Sequence, residues 1–179
     1  MIHDDIVIYN VKNGNKEEFG LIVEKYKDQL YSFIFYSVKN EAAAADIFQE
    51  TMLKALTEIN KYKEEGKFKA WLFTIARNKV TDHFRRCAKV VQLDEENEEG
   101  AFATADTTSS SALGNISLAE ITDFINMLPK EQQEVILLRQ YLSFKEIASI
   151  LDCPLGTVLA RMNRGIKKLQ KFMGESYAA

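Results

Sequence analysis

Asp82 and His83 stand side by side in "TDHF", a pair of residue types that in suitable company binds a metal or moves a proton. The company is missing here. Only two histidines occur in 179 residues, no second cluster of carboxylates and histidines accompanies the pair, and neither a glycine-rich phosphate loop nor a nucleophile elbow is present. Two cysteines, Cys87 and Cys153, lie far apart without the paired spacing of a zinc site or a disulfide framework, so isolated thiols in a reducing cytoplasm fit best. The expectation is a protein with no catalytic residues, no metal and no cofactor, hence no enzyme.

The chemistry that the residues do support is contact with polyanions. The whole chain carries a formal charge of −3, but its charges are sorted. Residues 67–89 hold seven lysines and arginines against one acid, and residues 155–179 hold five against one; residues 90–117 hold six acids and no cation. Two basic stretches in an acidic protein point to two separate polyanion contacts, while the acidic remainder limits indiscriminate binding.

The elements that must position these charges read as helices. Two prolines and eight glycines punctuate runs rich in Ala, Leu, Ile, Lys and Glu at helical spacing, without sustained alternation. The first clear helix opens at "NKEEF", with Asn15 as N-cap and Glu18 reaching back, followed by a stripe of Phe19, Ile22, Val23, Tyr26, Leu30, Phe33 and Ile34. A second follows Asn40 with Ile47, Leu56 and Ile59 on its apolar face. A third, "FKAWLFTIARNKVTDHFRR", turns Trp71, Leu72, Ile75 and Ala76 inward and leaves Lys69, Arg77, Asn78, Asp82, Arg85 and Arg86 to the other side. The N-terminal "MIHDDIVIYN" carries two acids and no long apolar run, and no run in the chain approaches the ~20 that cross a bilayer. Neither export nor membrane insertion is expected, and the protein is assigned to the cytoplasm.

From about Cys87 to Ile116 the helical pattern fails, and the segment is too polar to offset its ordering entropy. The fold class predicted is therefore all-α: two small helical domains, 1–88 and 117–179, joined by a flexible acidic linker over 89–116. In the second domain Leu118, Ile121, Ile125 and Leu128 repeat before Pro129 opens the next helix. "SFKE" from Ser143 to Glu146 is a capping box that starts a short helix with Ile147, Ile150 and Leu151 buried; "DCP" ends it. The last helix begins near Pro154 with Val158, Met162, Ile166 and Leu169 as its inner seam and Thr157, Arg161, Arg164 and Lys168 facing outward. Two helices, a tight turn and a basic outer face form a helix-turn-helix able to enter a major groove, with Arg161 and Arg164 suited to guanine edges or phosphates. A cationic helix that merely complements its own dipole shares the charge but not the capping box and turn.

Three stretches, "DIFQETMLKAL", "FKAWLFTIARNKVTDHFRR" and "LPKEQQEVILLRQYLSFKEIASILDCPLGTVLARMNRGIKKLQ", together resemble the extracytoplasmic-function (group IV) sigma factors of bacterial RNA polymerase, in that family's order and over nearly the whole chain. The resemblance implies a promoter-specificity subunit that assists promoter melting. Its partners would be core RNA polymerase and promoter DNA, with an anti-sigma factor as a common regulator in the family. It implies that Asp46, Gln49, Glu50 and Leu53, which share one helical face, bind the polymerase clamp helices; from spacing alone an ordinary solvated face reads the same. It implies that Tyr62, Lys63, Lys67, Lys69, Arg77, Asn78, Asp82, Arg85 and Arg86 melt and hold the minus-ten region, with Trp71 kept in the core. It assigns Thr157, Arg161, Arg164 and Lys168 to the minus-thirty-five duplex.

The chain departs from the family pattern at Leu159 and Ala160, where many members have a lysine and a serine, so one phosphate-seeking charge and one hydroxyl are missing. The acidic linker resembles the family's thread through the polymerase cleft, where its acids would imitate RNA; a plain spacer has the same composition. The alternative function is a conventional helix-turn-helix regulator whose N-terminal domain senses a ligand or partner.

Overall fold

The computed structural model describes residues 4–63, 66–94 and 118–176, which form helices and no strand. The N-terminal domain comprises α1 (Asp4–Lys12), α2 (Phe19–Val38), α3 (Glu41–Glu58) and α4 (Phe68–Asp94). The C-terminal domain comprises α5 (Leu118–Asn126), α6 (Lys130–Arg139), α7 (Phe144–Ile150) and α8 (Leu155–Ser176). Most of the expected linker, and with it both readings of its acids, lies outside the described residues.

α2 is continuous over 20 residues and buries Phe19, Ile22, Tyr26, Leu30, Phe33 and Ile34, close to the stripe expected of it. Its entry differs from expectation. Asn15 makes no side-chain bond to a helix-end amide; its amide instead donates to Glu18 at 2.7 Å, and a 3-10 turn at Lys16–Glu18 leads into Phe19. α3 begins with Asn40 accepting from the Ala43 amide at 2.8 Å, a capping bond that satisfies one of the first-turn donors. α2, α3 and α4 pack on one another around Phe33, Phe73, Ile34, Ile47 and Leu72, all buried.

Two segments exceed the sequence expectation. α1 is a helix where none was assigned: Val7, Ile8 and Val11 fall on one buried face, and the Asp4 carboxylate accepts from the Tyr26 hydroxyl at 2.6 Å and pairs with Lys25. Nine residues are too few to hold a helix alone, so this one depends on packing that local composition does not reveal. α4 continues through Asp94, beyond the boundary expected at 88. Extending a formed helix adds a hydrogen bond per residue at small cost, and "CAKVVQLD" contains no breaker.

In the C-terminal domain the capping box is formed. Ser143 Oγ accepts from the Glu146 amide and the Glu146 carboxylate accepts from the Ser143 amide at 2.7 Å. α7 ends in a left-handed residue, Asp152 at φ 48°, with the Cys153 amide donating to the Ala148 carbonyl at 3.1 Å and the Asp152 amide to Ser149. This is the Schellman arrangement that reverses the chain tightly before α8.

The inner seam of α8 needs one correction. It runs Val158, Met162, Gly165, Leu169 and Phe172, with Ile166 left 37% exposed at its edge. At 100° per residue, position 165 lies nearer the middle of that face than 166. Gly165 sits directly against α6: a Cβ there would come within 2.8 Å of Ile136 Cδ1. The missing side chain lets the two helices approach.

The two domains share one continuous hydrophobic core through contacts of α4 with α7 and of α2 with α6. Lys69, Phe73, Arg77, Val80 and Phe84, at steps of four, four, three and four, form a single stripe along α4 turned towards the C-terminal domain. Phe73 packs on Phe33 of its own domain at 5.5 Å and on Tyr141 of the other at 5.3 Å between ring centroids.

Candidate nucleic-acid and polymerase interfaces

The expected cations on α4 divide between two faces. Asn78, Asp82, Arg85 and Arg86 are exposed on the outer face, where Lys89 joins them, and Arg85 lies 3.4 Å from Asp82. Lys69 and Arg77 belong to the inter-domain stripe instead of the solvent face expected for them. Arg77 Nε donates to Glu134 of α6 at 2.8 Å, with both side chains about a quarter to a third exposed. The Lys69 ammonium stands 5.9 Å from the centroid of the Tyr141 ring. Burial lowers the Lys69 pKa, partly opposed by the Glu146 charge, and burial likewise raises the Tyr141 phenol.

A cleft of about 380 Å³ adjoins this seam, lined in part by Phe33, Val80, Phe84 and Leu137 with Arg85 and Lys130. Lys130 also lies over the Phe84 ring at 4.6 Å, a third cation held between the domains after Arg77 and Lys69. At the C-terminal cap of α2, Lys39 Nζ is buried without a hydrogen-bond partner among the described residues. Desolvation lowers its pKa, and the charge of Asp123 works against that shift.

Ahead of α4, Lys63 and Lys67 are exposed, whereas Tyr62 is only 5% exposed. The Tyr62 ring is an aromatic core member: it packs edge-on to Phe68 and tilts against Trp71, each at 5.3 Å. The ring is therefore covered, whereas the family resemblance places Tyr62 among the residues that hold the minus-ten region. Trp71 is part-buried in the same group, in line with its expected place in the core.

On α3 the four residues expected to meet the polymerase do share a face. Asp46 and Gln49 are exposed, and Leu53 is 64% exposed, a large apolar side chain with no cover. Glu50 differs: Lys79 of α4 donates to it at 2.8 Å and holds its carboxyl below the ordinary range, so it ties α3 to α4.

On α8, Arg164 and Lys168 are exposed as expected, and Thr157 is half-buried on the same face. Arg161 lies nearer the edge and pairs with Glu131 of α6 at 3.3 Å. Sequence reasoning omitted Lys167 and Lys171, both exposed, although Arg164, Lys167, Lys168 and Lys171 follow helical spacing and were within its reach. Leu159 is 40% exposed at the position where the family often has a lysine.

Comparisons with known proteins agree with this geometry. Residues 22–90 match the model of sigma-70 region 2 and residues 118–169 that of sigma-70 region 4. The chain is 32% identical over 174 residues to the ECF RNA polymerase sigma factor SigW of Bacillus subtilis, across 92% of this chain and 93% of that one. It is 31% identical over 170 residues to the ECF RNA polymerase sigma factor BldN of Streptomyces coelicolor, across 93% of this chain and 64% of that one. Its fold is similar to that of the sigma factor RpoE of Bartonella quintana, solved in complex with the anti-sigma factor NepR, with a TM-score of 0.72 and 26% identity over 88% of this chain and 98% of that one. Among the described residues no helix is long and apolar enough to cross a membrane. With a capped helix-turn-helix in one domain, a basic helix in the other and both regions matched in order, the chain belongs to the extracytoplasmic-function sigma factors, the promoter-specific transcription initiation factors of RNA polymerase.

Proposed function

We propose that residues 1–88 bind core RNA polymerase and hold the melted minus-ten region, that residues 117–179 read the minus-thirty-five element as duplex, and that residues 89–116 set the distance between them. The observation that carries this division is the contrast in presentation of the two basic helices: α8 offers a cationic face on a capped helix-turn-helix, while α4 backs an exposed pair of loop lysines. The first suits a groove and its phosphates; the second suits a strand that has left the duplex. The action is binding and positioning in the cytoplasm, without catalytic chemistry of its own.

Leu53, exposed beside Asp46 and Gln49, supplies the apolar anchor for a helix of the core enzyme, with a polar rim around it. Glu50 acts from its bond with Lys79 by fixing the tilt of α3 on α4. Arg77 and Lys69 reach DNA only when the domains part, because Glu134 and Tyr141 occupy them in the closed arrangement. Core polymerase supplies the energy for that separation by binding both domains apart, and an anti-sigma factor would oppose it by favouring the closed form.

Transcription by core polymerase from a cognate promoter, with and without this protein, tests the assignment. Initiation dependent on the protein is expected, and loss of that dependence when Leu53 is changed to Glu. Equal initiation in both reactions rejects the proposal.

A further inference from the structure

Lys12, at the end of α1, reaches out of its own helix and donates to the backbone carbonyl of Tyr62 at 2.8 Å. Its ammonium also stands 5.8 Å from the Tyr62 ring centroid. α1 lies ahead of the residues matched by the region 2 model, which begin at 22. The attachment of α1 does not rest on this lysine, since Val7, Ile8 and Val11 are buried beneath it and Asp4 binds Tyr26 and Lys25 at its other end. The lysine's bond to the Tyr62 carbonyl therefore bears on the acceptor and not only on the attachment of α1.

That acceptor sits where a 3-10 turn, Ile59–Lys61, gives way to extended backbone at Tyr62. The Tyr62 hydroxyl in turn accepts from the Lys67 amide at 3.0 Å, and Gly66 takes the left-handed conformation, φ 67°, just before it. Tyr62 is thus held at its carbonyl by α1, at its ring by Phe68 and Trp71, and at its hydroxyl by the backbone that leads into α4. The exposed residues Lys63 and Lys67 follow this fixed point, the first directly after Tyr62 and the second at the entry to α4.

We propose that Lys12 is a positioning residue for strand capture: through the Tyr62 carbonyl it fixes the backbone from which Lys63 and Lys67 meet the melted strand. This rests on the assignment of that loop to the minus-ten region. Tyr62 then serves the DNA indirectly, as a buried post. On a mobile backbone the two lysines would have to lose conformational entropy to capture the strand, which disfavours the opened complex and slows its formation, so the effect falls on melting and spares upstream recognition.

The test uses holoenzyme assembled from the full chain and a promoter carrying a fluorescent base analogue in the minus-ten region, with promoter binding measured in parallel on duplex DNA. Lys12→Met, which keeps the stem and removes the ammonium, is expected to slow opening about five- to tenfold while duplex binding changes less than twofold. Lys12→Arg is expected to restore opening to within about twofold of wild type. Thermal melts accompany each variant. Opening at the wild-type rate in Lys12→Met, while a Lys63→Ala/Lys67→Ala variant is slow, overturns the role of Lys12 alone. Normal opening in both overturns the assignment of the loop as well. A Lys12→Met protein that loses duplex binding and thermal stability together also overturns the proposal, because Lys12 would then hold up the domain and not the loop.

Discussion

The two basic helices of this protein have similar composition and opposite circumstances. On α8, Arg164, Lys167 and Lys168 have no ion pair among the described residues and project from a helix whose other face is sealed against α6. On α4, most cations already have company: Lys79 with Glu50, Arg85 with Asp82, Arg77 with Glu134, and Lys69 over Tyr141. The difference follows from position. α8 is the outermost layer of its domain, whereas α4 is central, packing on α2 and α3 at one side and on α7 at the other. A central helix has few directions left for solvent, so its charges are drawn into contacts between elements. The comparison teaches that equal charge density does not give equal access: Lys69 and Arg77 of α4 are covered by the inter-domain contact, while Arg85, Arg86 and Lys89 stay exposed.

The strongest way to break the comparison is to remove the residue that joins the two halves. Phe73 is fully buried between Phe33 and Tyr141. Phe73→Ala is expected to destabilise the protein by about 3–5 kcal/mol, the range for deleting a buried aromatic ring, and to uncouple the unfolding of the two domains. Urea unfolding followed separately by Trp71 fluorescence and by far-ultraviolet circular dichroism checks it; coincident transitions of wild-type midpoint would refute it.

Next in size is a change to the open helix. Arg164→Ala together with Lys168→Ala is expected to weaken holoenzyme binding to minus-thirty-five duplex by about ten- to a hundredfold and to reduce the salt slope by about two. Titrations at several salt concentrations give both quantities. An unchanged slope would mean that these two side chains touch no phosphate.

The fold of the open helix is tested by its cap. Ser143→Ala removes one half of the capping box and is expected to lower stability by about 1 kcal/mol, with a matching fall in duplex binding by the free C-terminal domain surface only near its melting temperature. A melt shows this directly, and an unchanged midpoint would deny the cap any part in holding α7.

Smaller still is release of the closed helix. Glu134→Ala frees Arg77 from a partly exposed ion pair of about 0.4–1 kcal/mol, so binding of the isolated protein to single-stranded minus-ten DNA is expected to rise about two- to fivefold. Fluorescence anisotropy reads it; no gain would show that Glu134 does not limit access to Arg77.

The least effect concerns proton binding at the seam. Burial first, against the opposing charge of Glu146, holds the Lys69 pKa below its ordinary value. Between that lowered value and the unfolded one the folded chain binds fewer protons, so stability rises as pH increases through this alkaline interval. Lys69→Met is expected to flatten that rise. Stability curves measured across the interval would disprove the effect if both proteins ran parallel.

Much of the molecule was legible from local pattern. The stripe of α2 was readable because Phe19 to Ile34 repeat at helical spacing, and the α7–α8 unit because Ser143 and Glu146 announce a helix start that needs no distant partner. α1 was not legible, since its Val7, Ile8 and Val11 form a helix only against neighbours distant in sequence. Ile166 was misplaced in favour of Gly165 because a count of apolar residues overlooks the absence of a side chain as a packing device. Tyr62 was expected among the residues that hold the minus-ten strand because the family resemblance implied it, and only the aromatic group around Phe68 reveals its burial.

The sequence alone determined that the chain is helical, where its two basic helices lie and which short-range motifs start and stop them, because helix periodicity, caps and charge are properties of neighbours within a few residues. The tertiary structure alone decided which of those cations face solvent. That choice depends on the packing of α4 between two domains and on a stripe of side chains whose partners, Glu134 and Tyr141, stand more than fifty residues away, at a distance no local spacing encodes.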